Sequence, residues 1–267
     1  MTTATLARPA TQTRPPLVSR TLMLVFLADF AGLTSFYLLL SVVPQYAASV
    51  GASGAGAGLT TAVLMAATVA AEFAMPQLVA RFGYRPVLAA GLALLGLPTV
   101  ALLLVPDPMA IVAVCVLRGV GLAIIFVVCG ELAAAMVPAE RRGEGLGVLG
   151  VVAGVPAVLA MPAGVWLAGQ TGFGPVLVAG ALTALAGLAA VAALPAIPRP
   201  VHSGQHNGMR AALRSRALVR PAAVFAATAV GAGAVMTVLP AALPAGSGHL
   251  AAVALLVLSD AATASRW

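Results

Sequence analysis

Five ionisable side chains lie inside long apolar stretches of this chain: Asp29, Glu72, Arg118, Glu131 and Asp260. A charged side chain at mid-bilayer costs at least about 2.5–3.5 kcal/mol, so a chain that keeps several generally uses them. Removing a carboxyl from water disfavours its charged form, which lets it take and return a proton. A guanidinium close by favours the charged form again, and Arg118 is the natural partner of that kind for Asp29 or Glu72. Two readings follow. The group carries protons, or it is an ion pair, Asp29 or Glu72 with Arg118, that glues helices together. Counted at about 1.5 Å per helical residue, Asp29 lies about 12 Å above the inner face, with Glu72 at a comparable depth. Arg118 falls nearer the outer half, Glu131 close to the inner interface as a water-contacting carboxylate, and Asp260 near mid-depth.

Other chemistries find no support. His202, His206 and His249 all fall in loops, so no serine–histidine or metal cluster sits within the apolar spans. His202 and His206 are four apart, a spacing that suits a metal on a helix, but Gly204 and Gly208 make that segment a linker. The chain has no lysine and therefore no phosphate-binding loop of the Walker type. It is not read as an enzyme, and neither cofactor nor metal is expected. Cys115 and Cys129 stand fourteen residues apart in one apolar segment. On a helix that is about 21 Å, too far to bridge.

These groups are positioned by spans that cross a bilayer. Hydrophobic residues make up 61% of the 267 and charged residues 8%, and the mean hydropathy is +1.07. A soluble domain carries about 25% charge, so this chain cannot build a water-facing surface. A span needs about 20 apolar residues, and such runs occur at 21–44, 58–80, 86–105, 109–136, 144–169, 174–195, 218–243 and 249–265. The first run is longer than the core of about 7–15 residues in a signal peptide and holds Asp29, so it is read as a retained span.

All 14 basic residues are arginines, and they decide orientation. With the N-terminus inside, every one except Arg118 falls in a cytoplasmic segment, while the outer loops near 45–57, 106–108, 170–173 and 244–248 hold none. Cytoplasmic loops carry the positive excess, which predicts a multi-pass cell-membrane protein with a cytoplasmic N-terminus. The basic net charge is thereby explained without nucleic acid. Residues 1–20 read as a disordered cytoplasmic tail, 21–195 as a six-helix bundle, and 196–217 as a basic cytoplasmic linker. Within that linker, Met209–Arg216 reads as a short helix on the membrane surface. Leu17-Val18-Ser19-Arg20 before the first span is echoed by Leu218-Val219-Arg220 before the seventh, an internal repeat that restarts at 218 and runs for about two spans, to 267.

Within Leu117–Gly164, Arg118 is followed by Gly119 and Gly121, then by the loop Pro138, Arg141, Arg142, Gly143, then by Gly150, Gly154, Pro156, Pro162 and Gly164. Gly143, Gly147, Gly150 and Gly154 also have the small-residue spacing that lets helix backbones touch. This stretch resembles the fourth and fifth transmembrane helices of the major facilitator superfamily. The loop between spans two and three resembles that superfamily's signature loop through Leu78, Arg81, Gly83 and Arg85. It departs from it at Pro76, where glycine is usual, and at Ala80, where aspartate is usual.

The resemblance implies an all-α integral membrane fold: a six-helix N-terminal bundle plus about two helices of a second, apparently truncated one. It implies a permease working by alternating access, with proton-coupled efflux of small or drug-like molecules, hence small-molecule substrate, protons and the lipid bilayer as partners. In that reading Arg118 is tied to proton coupling and Asp29 matches an acidic cavity residue of helix one. Leu78, Arg81, Gly83 and Arg85 form the inner gate, and Gly150, Gly154, Pro156, Pro162 and Gly164 form the antiporter motif of helix five. The alternative is a truncated, non-transporting or accessory form. Self-association of two copies is expected if the short chain is active.

Overall fold

The computed structural model describes residues 19–138, 141–195 and 197. Among these it contains eight α-helices and no strand. Helix α1 (Arg20–Leu40) starts where the Ser19 hydroxyl accepts from the Leu22 amide at 3.2 Å, a side-chain cap for an otherwise orphan donor. It stops at Leu40 because Pro44 has no N–H to return to that carbonyl, and α2 (Val42–Ser49) takes over after Ser41. The same device recurs in the second span. Helix α3 (Gly54–Glu72), capped by Ser53, ends four residues before Pro76, and α4 (Met75–Phe82) continues after a two-residue turn.

Gly83 ends α4 with φ 86°, a left-handed backbone that glycine adopts without strain. The tight turn expected there is present. Helix α5 (Tyr84–Ala101) carries Pro98 internally. Helix α6 (Pro108–Met136) opens on Asp107, whose carboxylate accepts from the Met109 and Ala110 amides at 2.9 and 3.0 Å. Helix α7 (Arg142–Thr171) contains Pro156 and Pro162, and α8 (Phe173–Ala192) follows the turn at Gly172.

Among the described residues six stretches are long and apolar enough to cross a bilayer, with α1 and α2 making one of them. They match the first six expected spans. The second differs: it starts at Gly54, and Pro76 breaks it in two, where one run over 58–80 was expected. Helices α1, α5, α6 and α8 pack on one another at the centre, α3 lies along α6, and α7 lies along α1. The α3 and α7 spans are the least enclosed. The tail 1–18, most of the linker and the segment 218–267 lie outside the described residues.

Candidate functional site

Arg118 sits in the middle of α6 and is 1% exposed. One terminal guanidinium nitrogen donates to the Leu95 carbonyl at 2.9 Å and to the Thr99 hydroxyl at 2.7 Å, both on α5. The other donates to the Ser35 carbonyl of α1 at 3.3 Å. Thr99 in turn donates to the Leu95 carbonyl at 3.0 Å. A single side chain thus ties three helices together through backbone acceptors. Among the described residues its Nε has no hydrogen-bond partner, and neither does the buried Ser35 hydroxyl.

The approach of α3 that completes this surround depends on Gly119. A Cβ there would collide with the Leu64 carbonyl oxygen and stand 2.8 Å from the Ala67 Cβ, so only glycine permits the contact. The Thr68 hydroxyl of α3 seals it, within 2.9 Å of the Leu64 carbonyl and 3.0 Å of the Gly119 carbonyl.

Asp29 is 3% exposed within α1, and among the described residues it has no cation beside it. The Cys129 thiol of α6 is its neighbour and donates to the Val25 carbonyl at 4.0 Å. The ion pair between Asp29 or Glu72 and Arg118 is not formed: among the described residues no carboxylate comes within 4.0 Å of the guanidinium. The helical register explains it. Arg118 reaches α1 at Ser35, six residues and about 9 Å along the axis from Asp29. Glu72 is exposed at the broken end of α3. Glu131 is also exposed and accepts from the Tyr84 hydroxyl at 2.9 Å.

In the loop between the second and third spans, Leu78 is half-buried and Arg81 is exposed, its guanidinium 5.3 Å from the centre of the Phe82 ring. Arg85 donates to the Ala192 carbonyl at 2.5 Å, where a cation suits the C-terminus of α8. On α7, Gly164 is buried with α1 so close that a Cβ would strike the Leu38 carbonyl. Pro156 is buried and Pro162 exposed, while Gly150 and Gly154 face open space. Among the described residues the expected backbone contact along Gly143, Gly147, Gly150 and Gly154 is therefore absent, and on α7 Gly145, against Val137, and Gly164 make the close approaches instead. No cluster of three histidine, cysteine, aspartate or glutamate side chains suited to a metal occurs among the described residues.

The sequence pattern defining the Major Facilitator Superfamily matches residues 25–265. The chain belongs to this superfamily. No curated protein matches it. Membership and the apolar helices make it a membrane protein of a transporter family. In the loop between the second and third spans Ala80 carries no charge to pair with the arginines, and among the described residues the Arg85–Ala192 and Tyr84–Glu131 bonds are polar contacts at this end. Sequence reasoning missed Tyr84, Thr99, Ser35 and Cys129. Tyr84 adjoins the signature loop and had a readable signal, whereas the Leu95 and Ser35 carbonyls had none.

Proposed function

We propose that this superfamily member is a proton-coupled exporter of small, amphipathic molecules that works by alternating access at the cell membrane, with its N-terminus in the cytoplasm. Asp29 takes and returns the proton. Arg118 holds α1, α5 and α6 in register around it and lends positive charge. Glu72, exposed at the kink of the second span, is the second carboxylate able to serve. Arg81 and Arg85, with Leu78 and the Gly83 turn, hold the inner end of the bundle. Gly164 and Pro156 of the helix-five motif set how closely α7 packs on α1.

The observation that carries this reading is Asp29 itself, a carboxyl enclosed at mid-span that, among the described residues, has no cation within ion-pair distance. A structural carboxylate at that depth needs a cation beside it. One left without a cation is free to exchange its proton when the helices part. Proton flux into reconstituted vesicles tests this, comparing wild type, Asp29→Asn, Arg118→Ala and Arg118→Lys. Asp29→Asn should abolish substrate-driven flux and Arg118→Ala should lower it, with Arg118→Lys between. Equal flux in wild type, Asp29→Asn and Arg118→Ala removes the assignment.

A second reading rests on the weak enclosure of α3 and α7. A six-helix bundle acting alone would have no opposing wall for alternation and would serve as a non-transporting or accessory unit, and two associated copies would restore the wall. Absence of flux from wild-type vesicles at every protein density would favour the accessory role. Flux that rises with the square of density would favour pairing.

A further inference from the structure

Of the two arginines in the loop between the second and third spans, only Arg85 bonds another helix among the described residues, through the Ala192 carbonyl. Arg81 is exposed, and among the described residues no carboxylate lies within 4.0 Å of it. Its guanidinium instead stands over the Phe82 ring, 5.3 Å from the ring centre.

Two counts along the spans fix the depth of this pair. Helix α3 rises about 27 Å from Gly54 to Glu72, close to the roughly 30 Å of a hydrocarbon core, so α4 follows it into the headgroup layer. On α6, Glu131 stands about 36 Å from the Asp107 cap, and it accepts from Tyr84, the residue after the Gly83 turn. Both counts put the end of α4 at the level of lipid phosphates.

The chemistry of α4 fits that layer. Met75 and Val79 are buried, while Phe82 is 50% exposed and Phe73, at the break before α4, is 62% exposed. Rings left this open are better covered by acyl chains than by water. A guanidinium standing over such a ring meets the headgroups, and its planar fork matches two phosphate oxygens. Stacking also orients the fork in advance, so less side-chain freedom is lost on binding.

We propose that Arg81, stacked on Phe82, binds the phosphate of an anionic membrane phospholipid whose acyl chains cover the Phe82 ring. The lipid supplies the negative charge that Ala80 does not. This holds whether or not protons are transported, and whichever leaflet this end of the bundle faces.

Native mass spectrometry of the purified protein in detergent tests it, by titration with phosphatidylglycerol or with phosphatidylcholine of the same acyl chains. Wild type should retain phosphatidylglycerol about fivefold more tightly, the preference expected of one arginine at an anionic surface. Arg81→Gln should bind both lipids alike, and Arg20→Gln, at the start of α1 and the same end of the bundle, should keep the preference. Because Arg81 bonds no other helix among the described residues, Arg81→Gln should melt with wild type in lipid-free detergent. If it does not fold, Phe82→Leu, which keeps the cation and removes its platform, should reduce the preference instead. Excess inorganic phosphate should leave lipid retention unchanged. No preference in wild type, a preference that survives both Arg81→Gln and Phe82→Leu, an equal loss in Arg20→Gln, or displacement of the lipid by inorganic phosphate would each overturn the proposal.

Discussion

Replacing Gly119 by alanine should unfold this bundle far more easily than the same change at Gly150. At Gly119 the new methyl would overlap the Leu64 carbonyl oxygen and stand 2.8 Å from the Ala67 Cβ and 3.2 Å from the Leu64 carbonyl carbon. Two of those atoms are backbone, so α3 must move away from α6. Overpacking of this kind costs about 1–3 kcal/mol. The separation also stretches the bond from the Thr68 hydroxyl to the Gly119 carbonyl, 3.0 Å long, which in a membrane is worth about 0.6 kcal/mol. Together this is about 1.6–3.6 kcal/mol, or a fall of about 3–14 °C in the midpoint for a chain of this size. Among the described residues nothing lies within 4 Å of where a Cβ at Gly150 would be, so Gly150→Ala should change stability by no more than about 0.5 kcal/mol. Thermal unfolding of both variants in one detergent gives the comparison. If Gly119→Ala melts with wild type, the glycine is not what brings α3 against α6 and the argument for this contact fails.

Four further outcomes follow from the same structure. Tyr84→Phe should lower stability by about 0.5–1.5 kcal/mol by removing the donor to Glu131, and a double-mutant cycle with Glu131→Ala should recover most of that as coupling. Arg85→Ala should cost about 0.3–1 kcal/mol through the freed Ala192 carbonyl at the end of α8, and added salt should reduce the difference. Gly164→Ala should destabilise the α1–α7 contact while Gly154→Ala leaves it unchanged, read as the melting difference between the two variants. In a cysteine-free background, an impermeant maleimide applied to intact cells should label Ser53→Cys and spare Arg81→Cys; the reverse pattern would invert the assigned orientation.

The six spans could be read directly because a bilayer demands about 20 apolar residues in a row, and little else satisfies that demand. Two interruptions coincide with prolines counted back four residues, Pro44 to Leu40 and Pro76 to Glu72, where α1 and α3 end. Pro98, Pro156 and Pro162 leave their helices unbroken, so proline alone did not mark the interruptions. The rotation of each helix about its axis was not legible. In a soluble protein the apolar stripe marks the buried face, but lipid is as apolar as a protein core. The stripe Gly143, Gly147, Gly150, Gly154 therefore has the spacing of a packing face and yet turns to open space in this bundle. Partners of Arg118 were hidden for a related reason: they are mostly backbone carbonyls, which every residue has.

One stretch did carry its own geometry. A guanidinium can bond carbonyls on two neighbouring helices only where those helices approach closely, and close approach in a membrane needs residues without side chains. Arg118 points to α5 and α1, Gly119 admits α3, and Gly121 admits α5, where a Cβ would lie 2.7 Å from the Gly91 carbonyl oxygen. The three residues work as one device. Substituting either glycine should therefore disturb the arginine's hydrogen bonds as well as the packing. Variants at Gly119 and Gly121 should lose proton flux together with stability, whereas a packing defect remote from Arg118, such as Gly145→Ala against Val137, should cost stability alone.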